Sequence, residues 1–221
     1  MEFIVEDKVR DLGIKILGLK IEELDNKTSN KEFDVWRENK IQELILKYKD
    51  YDIKDDKVIE GFYILHNKVG VPRRKNPPAS ENLIKLLVKR EGLVQINKAV
   101  DIYNIASIES KLCLGAHDID KVTGNVHLKI TDGSENFIPL GSEESKTVGN
   151  GEYSFVDDNN DVICWLDIRQ VDKTKVTEES KNVLYFIIGN EENTYEELEK
   201  VANEIIELTT KYCGGKATIL K

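Results

Sequence analysis

The chain has 221 residues, 40% hydrophobic and 33% charged, which is enough for one substantial core. Its 32 lysines and arginines against 41 acids leave a net charge of −9, so it is not a bulk polyanion binder and any nucleic-acid contact must be local. Apolar and charged residues interleave throughout, which excludes a collagen, a coiled coil and a disordered tail.

The opening stretch, MEFIVEDKVRDL, carries acids inside its apolar run and does not read as a signal peptide. The segment up to about Asp25 reads as extended, with Ile14 and Ile16 in a run apolar enough for a strand covered on both faces. From Lys31 to Lys49, Phe33, Trp36, Ile41, Leu44, Ile45 and Tyr48 recur at helical spacing. A second helix is expected from about Asp55 to Asn67, ended by the proline-rich stretch Gly70 to Pro78. Ser80 is the expected N-cap of a helix through Leu83, Leu86 and Leu87. A further helix is expected from Lys98 to Lys111.

After Gly115 the chain turns strand-rich. Val126, Leu128 and Ile130 alternate with His127 and Lys129, and Asp132–Gly133 supplies a turn. Asn150–Gly151 precedes a strand from Tyr153 to Val156, and Asp157 to Asp161 separates it from one over Val162 to Leu166. Val183 to Ile188 reads as a strand buried on both faces. Thr194 and Glu197 form a capping box for a helix carrying Leu198, Val201, Ala202, Ile205 and Tyr212. A short strand, Ala217 to Leu220, follows Gly214–Gly215. No stretch approaches the roughly 20 apolar residues of a membrane span. The three cysteines, Cys113, Cys164 and Cys213, form no CxxC pair, so neither a disulfide scaffold nor structural zinc is expected, and a reducing cytoplasm is the natural compartment.

Common catalytic signatures (GxSxG, Walker A, HExxH, GxGxxG) are absent. Three polar clusters remain. In QINKAVDIYN, Asn97, Asp101 and Asn104 share one helix stripe, able either to bind a polar ligand or to brace a neighbouring loop. In LGAHDID, His117, Asp118 and Asp120 lack the further ligands that a metal site needs, and a turn at Gly115 with Asp118 capping a short helix accounts for them as well. In DIRQVDKTKVTEES, Arg169 follows a buried strand and suits a phosphate or carboxylate, or a strand-end salt bridge. Arg73, Arg74 and Lys75 form the one compact basic triplet without intervening acids, either a solvated loop or a phosphate contact.

In their order and spacing these clusters resemble a known family. The segments PPASENLIKLLVKREGLVQINKAVDIYN, LGAHDIDKVTGNVHLKI, GEYSFVDD and VICWLDIRQVDKTKVTEESKNVLYFI resemble the tRNA-editing module of the phenylalanyl-tRNA synthetase beta subunit, formed from its third and fourth domains, and most nearly its free-standing versions. The resemblance implies an α+β fold, a three-layer β/β/α sandwich with a helical N-terminal elaboration. Residues 1–75 would be a strand and helices packed on a core of residues 76–221.

The resemblance also implies hydrolysis of the ester of mischarged tRNA in trans, without metal or cofactor. The runner-up is a noncatalytic RNA- or ligand-binding module of the same fold. Carried over by position, Asn97, Asp101 and Asn104 would position substrate and water, although Asp101 would serve equally as a brace. Tyr103 stands where the family often has threonine. Gly115, within LGAHD, stands where the synthetase has histidine, and with Ala116 would shape the amino-acid pocket. His117 and Asp118 would lie at its rim, and Arg169 and Gln170 would contact the terminal adenosine or the amino acid. Arg73, Arg74 and Lys75 would sit near the acceptor stem. The partner implied is the aminoacylated acceptor end of tRNA, with no DNA and no membrane.

Overall fold

The computed structural model describes residues 1–27 and 30–220. In chain order the elements are β1 (Phe3–Val5), α1 (Asp7–Arg10), β2 (Lys15–Glu22), α2 (Lys31–Tyr48), α3 (Lys57–Lys68), α4 (Ala79–Arg90), α5 (Lys98–Ser110), β3 (Cys113–Asp118), β4 (Val126–Ile130), β5 (Tyr153–Asp157), β6 (Val162–Trp165), β7 (Arg169–Gln170), β8 (Val183–Gly189), α6 (Tyr195–Cys213) and β9 (Lys216–Leu220). They build two sheets, ordered β1-β4-β5-β6-β7 and β3-β8-β2-β9.

The four-stranded sheet is the middle layer. Every residue of β8 is buried, because the strand is covered on both faces. Toward the helices, Leu17, Leu19, Ile21, Leu114, Ala116, Tyr185 and Ile187 pack with Tyr103, Ala106, Leu198 and Ile205 of α5 and α6. Toward the five-stranded sheet, Ile16, Leu184, Phe186 and Ile188 pack against Leu128, Tyr153, Phe155 and Ile163. A helical core of Ile41, Leu44, Tyr48, Ile84, Leu87, Ile105 and Ile108 joins α2, α4 and α5. The result is the three-layer β/β/α arrangement. Thr194 and Glu197 form the expected capping box at the start of α6.

Several local expectations are corrected. Gly115 lies inside β3, fully buried, and makes no turn, because β3 pairs with β8 from Cys113 to Asp118. Pro78 occupies the cap position of α4; Ser80 lies in its buried first turn, with its hydroxyl 3.4 Å from the Cys113 thiol. The extended N-terminal stretch is interrupted by the single turn α1. β1 and β7 have three and two residues, too short to leave a period in the sequence.

One row of the middle sheet positions the site. Phe186 pairs with Gly18 of β2 on one side and with Gly115 of β3 on the other. Its ring packs at 4.3 Å from Phe155 and 4.9 Å from Phe3, centroid to centroid. On the Gly18 side the space is filled, since a Cβ there would stand 3.1 Å from the Phe3 ring. On the Gly115 side it opens into a pocket.

Candidate functional site

The pocket lies between the two sheets and is closed on one side by α4 and α5. It encloses about 250 Å³, room for one amino-acid-sized group. Leu83, Leu114, Phe155, Phe186 and Ile188 give it apolar walls, and Asn82, Tyr103, Asn104, His117, Asp167 and Gln170 supply the polar lining. A Cβ at Gly115 would stand 2.9 Å from Gln170 Nε2, the end of a flexible side chain, so a larger residue here would shift Gln170.

The polar groups fall into two kinds. Asn82 and Asn104 line the pocket, their amides make no hydrogen bond to another described residue, and neither residue is buried. Gln170 hydrogen-bonds the buried Tyr103 phenol, whose pKa burial pushes up to about 12. His117 and Asp167, by contrast, are immobilised beneath the surface. The His117 ring is fully buried, with Nδ1 2.9 Å from the Thr174 hydroxyl and Nε2 without a partner. Desolvation lowers its pKa to about 3, so it stays neutral. Asp167 Oδ1 lies 2.6 Å from His66 Nε2 and accepts from the Tyr153 hydroxyl at 2.7 Å. Desolvation raises the Asp167 pKa, but the His66 and Tyr153 contacts outweigh it and hold the carboxyl below its ordinary range. Burial pushes the Cys164 thiol up, away from thiolate formation.

The structure therefore brings together Tyr103, Asn104, Gly115, His117 and Gln170 from the sequence-derived set. It places the others elsewhere. Asn97 is the N-cap of α5, accepting from Val100 N at 3.0 Å and from Asn26 Nδ2 at 2.9 Å, while its own amide donates to Val176 O. Asp101 pairs with buried Arg37 at 2.8 Å and accepts from Ile96 N. Ala116 faces the opposite core, against the helices. Asp118 caps a 3-10 turn and accepts from Ser180 Oγ at 2.6 Å. Arg169 lines a shallower recess just outside the pocket. None of Arg73, Arg74 and Lys75 lines the pocket, and Arg73 is engaged by Glu60 at 2.7 Å and by the Tyr63 ring at 3.9 Å.

Among the pocket residues that sequence reasoning missed are Asn82, Phe155 and Phe186. Asn82 lies three residues after Ala79 on α4 and had only its place in the PPASENL segment to mark it. Asp167 opens the DIRQ segment that the resemblance sets at the pocket edge, but its tie to His66, 101 residues away along the chain, left no local signal.

Comparison with known proteins agrees with this architecture. The phenylalanine–tRNA ligase beta subunit of Methanococcus maripaludis is 29% identical over 165 residues, covering 63% of this chain and 30% of that protein. Its counterpart in Methanococcus vannielii is 36% identical over 107 residues, covering 39% and 19%. The chain thus spans less than a third of the length of these relatives. The crystal structure of an N-terminal fragment of the phenylalanyl-tRNA synthetase beta subunit from Pyrococcus horikoshii superimposes with a TM-score of 0.53 at 15% identity, covering 98% of this chain and 50% of that one. At that identity the likeness is one of fold. The B3/4 domain family matches residues 69–214, a span that holds the middle strands β3 and β8, the pocket helices α4 and α5, and Gly115. With two thirds of its length so matched, the chain belongs to the B3/4 domain family.

Proposed function

We propose that the chain hydrolyses the ester of mischarged aminoacyl-tRNA in trans, with the aminoacyl group in the pocket beside Gly115. The observation that carries this reading is the Asn104 amide, without a hydrogen bond to another described residue, in the lining of a cavity of amino-acid size that Gln170 also lines. A neutral amide that no protein group occupies can orient an ester carbonyl or a water. An activated ester asks for little more than such orientation. In the step, a water oxygen bonds the carbonyl carbon, the carbon–oxygen bond to the ribose breaks, and the ribose oxygen takes up a proton. The neighbouring ribose hydroxyl of the substrate assists that transfer. His117 and Asp167 are held at the pocket by Thr174 and by His66 and Tyr153, and this reading assigns the step to orientation, not to a protein nucleophile.

The same immobilisation favours the second reading, a binding module without turnover. A screen of tRNAs charged with many amino acids, cognate and noncognate, separates the two. At least one charged tRNA is expected to lose its amino acid faster with protein than without. Asn104→Ala is expected to slow that reaction about tenfold or more, the equivalent of about 1.4 kcal/mol of transition-state stabilisation. Binding of charged tRNA with no release of amino acid from any pair would establish the binding module instead.

A further inference from the structure

We propose that the recess just outside the pocket is a phosphate seat for the 3′ end of an RNA, with Arg169 and Lys146 as its two cations. The inference rests on the RNA part of the reading above and not on hydrolysis. The recess and the pocket share Leu140, Ile168 and Gln170, so they form one mouth. An acyl group esterified to a terminal ribose and lodged in the pocket leaves the nearest phosphate one sugar away, outside that mouth.

The charges there are arranged for it. Arg169 and Lys146 both line the recess, both are exposed, and neither forms an ion pair with a described residue. The Arg169 guanidinium lies over the Trp165 ring, 5.9 Å from its centroid, a contact that orients it and leaves its charge unanswered. Lys146 is held by its backbone N–H, 2.7 Å from Phe137 O. The neighbouring cations are already used: Lys173 bridges Asp157 and Asp161 at 2.9 and 2.7 Å, and Lys175 meets Asp172 at 2.7 Å. Asp172 is itself neutralised by Lys175 and bonded to Gly141 N at 2.7 Å. Glu143 and Glu144, the acids on the same loop as Lys146, do not line the recess. In a chain of net charge −9, two cations that line one recess without an ion pair to a described residue offer a local contact for a polyanion. The guanidinium adds the fork geometry that phosphate oxygens match.

The test uses a fluorescein-labelled RNA hairpin ending in single-stranded CCA, not aminoacylated, followed by anisotropy between about 50 and 200 mM salt. The double variant K146A/R169A is expected to bind about tenfold more weakly. Its log–log salt slope should shrink by about 1.4, at about 0.7 per single-strand phosphate. The charge-conserving K146R/R169K should keep most of the slope, while R74A/K75A should move the affinity less than about twofold. Thermal melting checks that each variant is folded. Unchanged affinity and slope in K146A/R169A, no saturable binding by the wild-type chain, or equal displacement by a poly-glutamate peptide would overturn the seat. Because the probe carries no ester, failure of the deacylation screen with a normal response here removes hydrolysis and leaves the seat standing.

Discussion

His117 loses its charge to its surroundings: no acid reaches its ring, and burial alone lowers its pKa from 6.5 to about 3. The unfolded chain therefore binds a proton that the folded chain refuses, and stability depends on pH. The contribution is intact above about pH 6.5 and is lost as pH falls toward 3, at about 1.4 kcal/mol per pH unit. Asp167 acts in the same direction but only below the ordinary carboxylate range, because its pKa is lowered. The comparison is therefore made from about pH 6.5 to 5 against a variant that differs only at residue 117. Over that window the wild-type midpoint in urea should fall more than that of His117→Gln, whose amide can keep the Thr174 bond and cannot be protonated. Equal slopes would mean that the ring is reached by water. Sequence reasoning found His117 and placed it near the pocket. It had no means of finding that the ring is sealed, because Thr174 lies 57 residues away.

At the scale of elements, α5 shows how a correct stripe can serve two purposes. Asn97, Asp101 and Asn104 do fall on one line along the helix, but Asn97 to Asn104 spans about 10 Å of axis at about 1.5 Å per residue. The pocket meets only the far end. The near end is bound to structure: Asn97 caps the helix, and Asp101 is locked to Arg37 of α2. Desolvation raises the Asp101 pKa despite that partner. The pair therefore guards against a buried unpaired charge more than it adds net attraction. Arg37→Met should cost about 3 kcal/mol or more in denaturant unfolding by stranding Asp101, and Arg37→Met/Asp101→Leu should recover part of that loss. A double variant less stable than Arg37→Met alone would mean that the Asp101 bond to Ile96 N dominates. Such long-range partners are invisible in a local pattern. What was legible was the strongly periodic: α2, α5, the capping box of α6, and the wholly apolar β8. Short β1 and β7, whose pairing depends on distant strands, were not.

The whole molecule does not divide where its sequence changes character. Residues before about 75 contribute β2, which lies between β8 and β9 in the middle sheet, and β1, which pairs with β4 in the other. Leu17, Leu19 and Ile21 of β2 fill the core under α5 and α6. Without β2 the strands β8 and β9 lose their common neighbour and expose an apolar edge. A fragment of residues 76–221 should show neither cooperative thermal unfolding nor a dispersed amide spectrum, and adding residues 1–75 in trans should restore both if the two pieces associate. A fragment that melts cooperatively alone would show that β8 can find another neighbour. This weave was only half legible, since the strand near Ile16 was expected but its place in the order of the sheet had no local signature.

The Asp167 knot ties these scales together. Asp167 lies in the turn that leads into Arg169 and Gln170 of β7, and its Oδ1 is held by His66 of α3. Occupancy of the mouth and the firmness of α3 are then two sides of one equilibrium. Whatever an occupant gains from a fixed Arg169 and Gln170, α3 gains from the occupant by the same factor. Protection of α3 amides against hydrogen exchange would thus report on a ligand that never touches the helix.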